Sequence, residues 1–255
     1  MQTFELLDRL ELISPNNTFF TDLRKTILNN DQFALFRLLQ QQTSSQLVEG
    51  LRKYKDNTEF NADCFSRGQL ESKLWLVKEL QKTKVDLGTV FLCAGWYATL
   101  ATMLFESNIK VDKIRSFDID DTCIDIAETF NKPWFSDQWK FKALTQDIMD
   151  IDYNEHTWQY WSNANNRMSY PIIDVPNTII NTSCEHIPNF TEWFNKIPDG
   201  KLIVLQSNNY FEVDEHVNCS VDLDDFSRQT PMSTMLFTGE LQLEKYTRFM
   251  KIGYK

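Results

Sequence analysis

Two rhythms of apolar residues divide this chain. Over roughly its first 85 residues apolar positions recur every three or four, the spacing of one helix face. Phe4, Leu7 and Leu10 do so in FELLDRLELI, and Ser14-Pro15-Asn16-Asn17 then breaks the pattern. DQFALFRLLQQQ follows, with Asp31 as a cap, and then the amphipathic SQLVEGLRKY. A polar connector covers 57–63. Ser66 predicts an N-cap for a longer helix over GQLESKLWLVKELQK, with Leu70, Leu74, Val77 and Leu80 as its apolar stripe.

From residue 88 onward short apolar runs alternate with helical stretches. TVFLCA, KIRSFDID, KFKALTQDI, PNTIINTSC and KLIVLQSN have strand length, with ATLATMLFES, DDTCIDIAETFNK and NFTEWFNKI between them. Such alternation predicts βαβ units and a mostly parallel sheet. TMLFTGELQL and EKYTRFMKIGYK come last, too close together for an intervening helix, so they predict an antiparallel pair. The expected architecture is therefore α/β, a mostly parallel sheet closed by an antiparallel hairpin. An N-terminal helical region over 1–65 precedes the sheet domain over 66–255. The aromatic insert HTWQYWSNANNRMSY, with Trp158, Tyr160, Trp161 and Tyr170, reads as the apolar face of a helix covering the sheet; a substrate-pocket wall is the alternative.

Charge narrows the choice of partners. The 12 basic and 12 acidic side chains of residues 1–86 cancel, so the whole net charge of −10 falls in 87–255. An acidic domain repels a phosphate backbone, which argues against nucleic acid as substrate. No apolar run approaches the roughly 20 residues that span a bilayer, and the acidic N-terminus lacks a signal peptide's basic start. A cytoplasmic protein with no membrane partner is expected. The five scattered cysteines suit reduced thiols better than a disulfide framework.

In an open parallel sheet, ligands sit beyond the carboxyl ends of the strands at the switch point. The turn after the first strand, Cys93-Ala94-Gly95-Trp96-Tyr97, contains a glycine that permits close backbone approach. Asp118 ends the second strand, placed to accept hydrogen bonds from ribose hydroxyls, and Ile119 follows it. Asp120 or Asp121 is left to start the next helix. Asp147 ends the third strand, where a carboxylate can meet an adenine amino group and Ile148 can pack on the ring. The loops after the fourth and fifth strands gather Asn181, a further candidate for the cofactor, with Ser183, Cys184, Glu185, His186, Asn208, His216 and Cys219. Glu185, His186 and His216 are the candidate bases. Cys184, His186, His216 and Cys219 also have the residue types of a zinc site, although packed cysteines are the simpler reading and no metal is expected.

FLCAGWYATLATML, RSFDIDDTCIDIA, LTQDIMD, IINTSCEHI and IPDGKLIVLQS together resemble the ordered segments of class I S-adenosylmethionine-dependent methyltransferases. The resemblance covers about residues 66–255 and implies a Rossmann-like seven-stranded sheet with S-adenosylmethionine as cofactor. It implies that the first turn meets the methionine part, Asp118 the ribose and Asp147 the adenine. Cys93, Trp96 and Tyr97 depart from the family's acidic, glycine-rich turn. Arg67 and Gln69, at the start of the preceding helix, are therefore the candidates for the amino-acid end of the cofactor, with Arg67 as carboxylate partner. The implied activity is methyl transfer to a small molecule or a protein side chain. Transfer of the aminocarboxypropyl group, as in nicotianamine-synthase-like proteins, is an alternative. A catalytically inactive binding protein of the same fold is another. The N-terminal helices are expected to cap the substrate side or to form a homodimer.

Overall fold

Side chains alternate across a strand, and the sheet follows from that alternation. The structure, a computed structural model, describes residues 19–30, 45–54, 60–163 and 165–255. The chain divides into two compact units between Phe60 and Asn61, five residues before the boundary expected from the sequence. In the first unit α1 is Phe19–Leu28 and α2 is Ser45–Tyr54. The stretches 4–13 and 31–42 lie outside the described residues.

The second unit opens with α3, Arg67–Thr83, whose N-cap Ser66 accepts a hydrogen bond from the Gln69 N–H. There follow β1 (Thr89–Cys93), α4 (Thr99–Glu106), β2 (Lys113–Asp118), α5 (Cys123–Phe130), α6 (Lys132–Ser136) and β3 (Phe141–Thr145). Four short strands come next: β4 (His156–Trp158), β5 (Trp161–Ser162), β6 (Arg167–Met168) and β7 (Ile172–Asp174). The remaining elements are β8 (Thr178–Asn181), α7 (Phe190–Lys196), β9 (Leu202–Asn208), α8 (Leu223–Gln229), β10 (Thr234–Gln242) and β11 (Thr247–Tyr254).

Seven strands form one sheet in the order β3-β2-β1-β8-β9-β11-β10. β3, β2, β1, β8 and β9 pair in parallel; β11 runs antiparallel to both β9 and β10. This is the expected Rossmann-like architecture with its reversed strand. The hairpin folds back so that β11 lies between β9 and β10, leaving β10 as the largely exposed edge. Chain order reverses between β1 and β8, so a crevice opens beyond their carboxyl ends.

The two faces of the sheet are packed differently. Val90 and Leu92 of β1 point into an aliphatic core with Leu76, Leu80, Leu100, Leu104 and Val204. Phe91 and Cys93 point the other way, into an aromatic core with Phe117, Tyr153, Trp193, Phe194 and Phe249. On α3 the buried face carries Ser72, Lys73, Leu76, Val77 and Leu80, whereas Leu74 is 57% exposed. The expected stripe is thus rotated, because polar Ser72 and Lys73 turn inward. Ser72 offers its carbonyl to the buried Gln206 amide at 3.0 Å.

The aromatic insert is not a helix. β4 pairs antiparallel with β7, and β5 with β6, as two small ribbons. A buried ion pair holds the first ribbon to the sheet: Asp174 accepts from Arg115 Nε at 2.6 Å and from Trp158 Nε1 at 2.8 Å. Alternate apolar and polar residues in short bursts suit a ribbon; the pairing partner 16 residues away is invisible to helical periodicity. No described helix is long and apolar enough to cross a membrane.

Candidate functional site

The turn after β1 is built on left-handed backbone. Ala94, Trp96 and Ala98 have φ of 50°, 49° and 49°, a region non-glycine residues enter at a cost of about 1 kcal/mol or more each. Gly95 lies between the first two, and its N–H bonds to the Phe117 carbonyl at 3.0 Å. A Cβ on Gly95 would stand 2.0 Å from Ser116 Oγ, so β1 and β2 can approach this closely only with glycine here. Asp118 closes the arrangement from β2. Its carboxylate accepts from the Trp96 N–H at 2.7 Å and from the Asp120 N–H at 3.1 Å. Burial raises its pKa, opposed by those backbone N–H bonds. Asp120 accepts from the Thr122 N–H at 2.9 Å and its hydroxyl at 2.7 Å, which leaves Asp118 outside the helix start.

A cleft of about 870 Å³ lies over this turn, bounded by the start of α3, the turn, Asp118 and Ile119, the loops after β8 and β9, and the β10–β11 connection. Its volume is within the range of small-molecule sites. Gln69, Lys73 and the turn form one part of its wall. Lys73 is buried on the inner face of α3, with Nζ 2.5 Å from Gln69 Oε1. Burial first, and then the charge of Arg248, pull its pKa down to about 8.

Glu185 follows β8 in a short 3₁₀ turn, Cys184–His186, and its charge reaches Lys73. Its Oε1 accepts from Asn208 Nδ2 at 2.7 Å and from Arg248 Nη1 at 2.6 Å. Asn208 and Arg248 are register partners on β9 and β11, so the antiparallel hairpin delivers the arginine. Arg248 is buried and also bonds the Thr182 carbonyl. Glu185 Oε2 is buried without a hydrogen-bond partner. The His186 and His216 rings meet edge to face, 4.6 Å between centroids. His186 Nδ1 lies 3.1 Å from the Glu215 carbonyl and His216 Nδ1 lies 2.7 Å from the Tyr210 carbonyl. Burial lowers the His186 pKa. Tyr210 and Tyr246 stack beside them at 5.3 Å.

Of the residues singled out from the sequence, Arg67, Gln69, Ala94, Gly95, Trp96, Tyr97, Asp118, Ile119, Glu185, His186 and His216 line the cleft. Arg67 does so at the rim: its side chain is 78% exposed and ion-paired with Glu71 at 2.7 Å. Cys93, Asp147, Ile148 and Asn181 are not in the lining. Cys93 is buried, with Sγ 3.5 Å from the Tyr153 hydroxyl. Asp147 caps a 3₁₀ turn by accepting from the Met149 N–H at 2.8 Å, and Ile148 packs in the aromatic core. Asn181 is buried and accepts from the Ser183 N–H at 2.8 Å. The four-residue zinc arrangement is not assembled either: buried Cys184 donates to the Asn181 carbonyl and Cys219 bonds Asn208 and Tyr210. Trp158, Tyr160, Trp161 and Tyr170 are also outside the cleft lining. Lys73, Tyr246 and Arg248 were missed. A lysine inside an apolar stripe was the available signal for Lys73, and no local pattern marks Arg248.

The strand order, with one reversed strand before the edge and a cleft over Gly95 and Asp118, is that of class I S-adenosylmethionine-dependent methyltransferases. The chain has this fold. It is similar to the N-methyltransferase NodS from Bradyrhizobium japonicum WM9 in complex with S-adenosyl-L-homocysteine (TM-score 0.54, 10% identity, 82% of this chain and 98% of that one). It is also similar to the magnesium protoporphyrin IX methyltransferase ChlM from Synechocystis PCC 6803 with bound SAM (TM-score 0.50, 10% identity, 86% and 96%). The YcgJ protein from Bacillus subtilis gives a TM-score of 0.52 at 8% identity, over 73% and 98% of the two chains. No family model and no curated protein sequence matches this chain.

Proposed function

We propose that this chain is an S-adenosylmethionine-dependent methyltransferase acting on a small molecule or a protein side chain in the cytoplasm. The observation that carries the reading is the Gly95 turn bonded through Trp96 to Asp118 at 2.7 Å, at the switch point of a sheet with this strand order. The cofactor supplies a methyl group on a positively charged sulfur. Each Asp118 oxygen keeps a lone pair beyond its backbone bond and can accept from a ribose hydroxyl. Ile119, 73% exposed beside it, offers an apolar surface to the adenine. Lys73, rather than Arg67, is placed to meet the carboxylate of the amino-acid end. It lies inside the cleft while Arg67 is spent on Glu71 at the rim.

Glu185, His186 and His216 then belong to the acceptor part of the cleft, where the chain's work is to position the nucleophile and take its proton. A backbone carbonyl only accepts, so the carbonyls facing each Nδ1 require the N–H there and leave Nε2 with its lone pair.

Calorimetry with S-adenosylmethionine and S-adenosylhomocysteine tests the cofactor reading. Binding of both is expected, weakened at least tenfold in Asp118→Ala; no binding by the folded wild-type chain would end it. Incubation with cofactor labelled in the methyl or the carboxypropyl carbons separates methyl transfer from aminocarboxypropyl transfer. Binding without transfer to any acceptor tested would identify a binding protein of this fold.

A further inference from the structure

Glu185, His186 and His216 can also act together as ligands of one ion; their lone pairs would then serve the ion, and its charge rather than these side chains would make a bound acceptor hydroxyl lose its proton. Among the described residues, Glu185, His186 and His216 bring one ligating atom each within 4.8 Å of one another. Tetrahedral bonds of about 2.1 Å place ligand atoms roughly 3.4 Å apart, so side-chain rotations of about an ångström would close them on one ion. From the proximity of Glu185, His186 and His216, with an unpartnered buried oxygen on Glu185, we propose that they hold a divalent transition-metal ion of the zinc class, with one coordination position open to the cleft.

Three further features support this. Glu185 Oε2 is buried with no partner while Oε1 serves both Asn208 and Arg248. A carboxylate oxygen withdrawn from water and given no donor is costly, and a cation supplies the missing partner. Each histidine is oriented by a carbonyl on Nδ1, Glu215 for His186 and Tyr210 for His216; this is the outer-shell arrangement that presents Nε2 to a metal. The cleft lining also carries six carboxylates against four lysines and arginines, which offsets the positive charge of Arg248 beside the ion.

Two imidazoles and one carboxylate suit a borderline ion better than magnesium or calcium, which take oxygen ligands. Three protein ligands with an open fourth position are the pattern of catalytic rather than structural zinc. The open position would take an anionic or hydroxyl oxygen of the acceptor, so the proposal narrows the acceptor to an oxygen-bearing molecule. That role rests on the methyltransferase reading; the metal site itself does not.

The test uses the full chain, stripped with chelator and titrated with Zn²⁺ alone by calorimetry, and with Co²⁺ followed by visible absorption. One equivalent of Zn²⁺ is expected, with a Co²⁺ spectrum lacking intense thiolate charge-transfer bands. His186→Asn and His216→Asn should each weaken Zn²⁺ binding at least tenfold while keeping the apo melting temperature. No stoichiometric binding, affinity unchanged in either variant, or thiolate bands would each overturn the site. S-adenosylmethionine binding is measured in the same samples: zinc without cofactor binding would sink the methyltransferase reading and leave the metal site standing.

Discussion

Two parts of the cleft wall are assembled by different means. The proposed cofactor part is a local construction: Gly95 and Trp96 come from one turn, and Asp118 ends the adjacent parallel strand in β1–β2 register. Its energy is stored in backbone shape, with three left-handed non-glycine residues held by the surrounding packing. The proposed acceptor part joins Glu185 after β8, Asn208 on β9, His216 beyond it and Arg248 on β11, and is held by a buried ion pair. Damage to the first should therefore read out as lost binding, and damage to the second as lost stability.

The largest effect expected is Arg248→Ala. Removing one partner of a buried pair strands the other, at a cost of about 3–5 kcal/mol, or roughly 10 °C in melting temperature for a chain of this size. Cofactor affinity measured below that temperature should stay within about threefold of wild type. A similar loss of affinity and stability would show that the two parts are not separable. Next is Gly95→Ala, which should weaken S-adenosylmethionine binding by about a hundredfold, nearly 3 kcal/mol, as the turn shifts to clear Ser116 Oγ. The double variant Gly95→Ala with Ser116→Ala removes that oxygen and should recover part of the loss in calorimetry; no recovery would mean the clash is not the cause.

Lys73→Met should cost about tenfold in cofactor affinity near neutral pH. The sign of the pH effect follows from its pKa of about 8. Below that value the ammonium is present to meet the cofactor carboxylate; above it the charge is lost and affinity falls, by up to about tenfold per pH unit. Lys73 faces Arg248, Glu185, Asp63 and Cys64, and burial pushes the Cys64 thiol up to about 12, outside this window. The slope above pH 8 should be present in wild type and absent in Lys73→Met; a slope common to both belongs to the cofactor or another group. The smallest effect is Arg67→Ala, expected to change affinity less than twofold. A several-fold loss would return the carboxylate contact to Arg67.

Much of the fold was readable in order. The five parallel strands and the terminal hairpin appear as runs of strand length, because a strand buried on both faces must be apolar throughout, as in TIIN and the core of KLIVLQS. The start of α3 was readable because a cap is a local hydrogen bond, here from the Gln69 N–H to Ser66. The aromatic insert was not, since ribbons such as β4–β7 are defined by pairing across 16 residues rather than by period. Asp147 stands two residues beyond β3, where one of its carboxylate oxygens accepts from the Met149 N–H at 2.8 Å.

The sequence by itself determined the order of the seven strands of the main sheet, the glycine that β1 and β2 require, and the acid that faces it. These depend on residues near in sequence or on adjacent parallel strands, where spacing constrains geometry. Only the tertiary structure decided how Glu185, Lys73 and Arg248 come together. Arg248 reaches Glu185 across 63 positions because β11 is inserted beside β9, and Lys73 faces the cleft because α3 is rotated against the sheet. Both outcomes depend on long-range packing, which fixes where a side chain points without leaving a periodic mark.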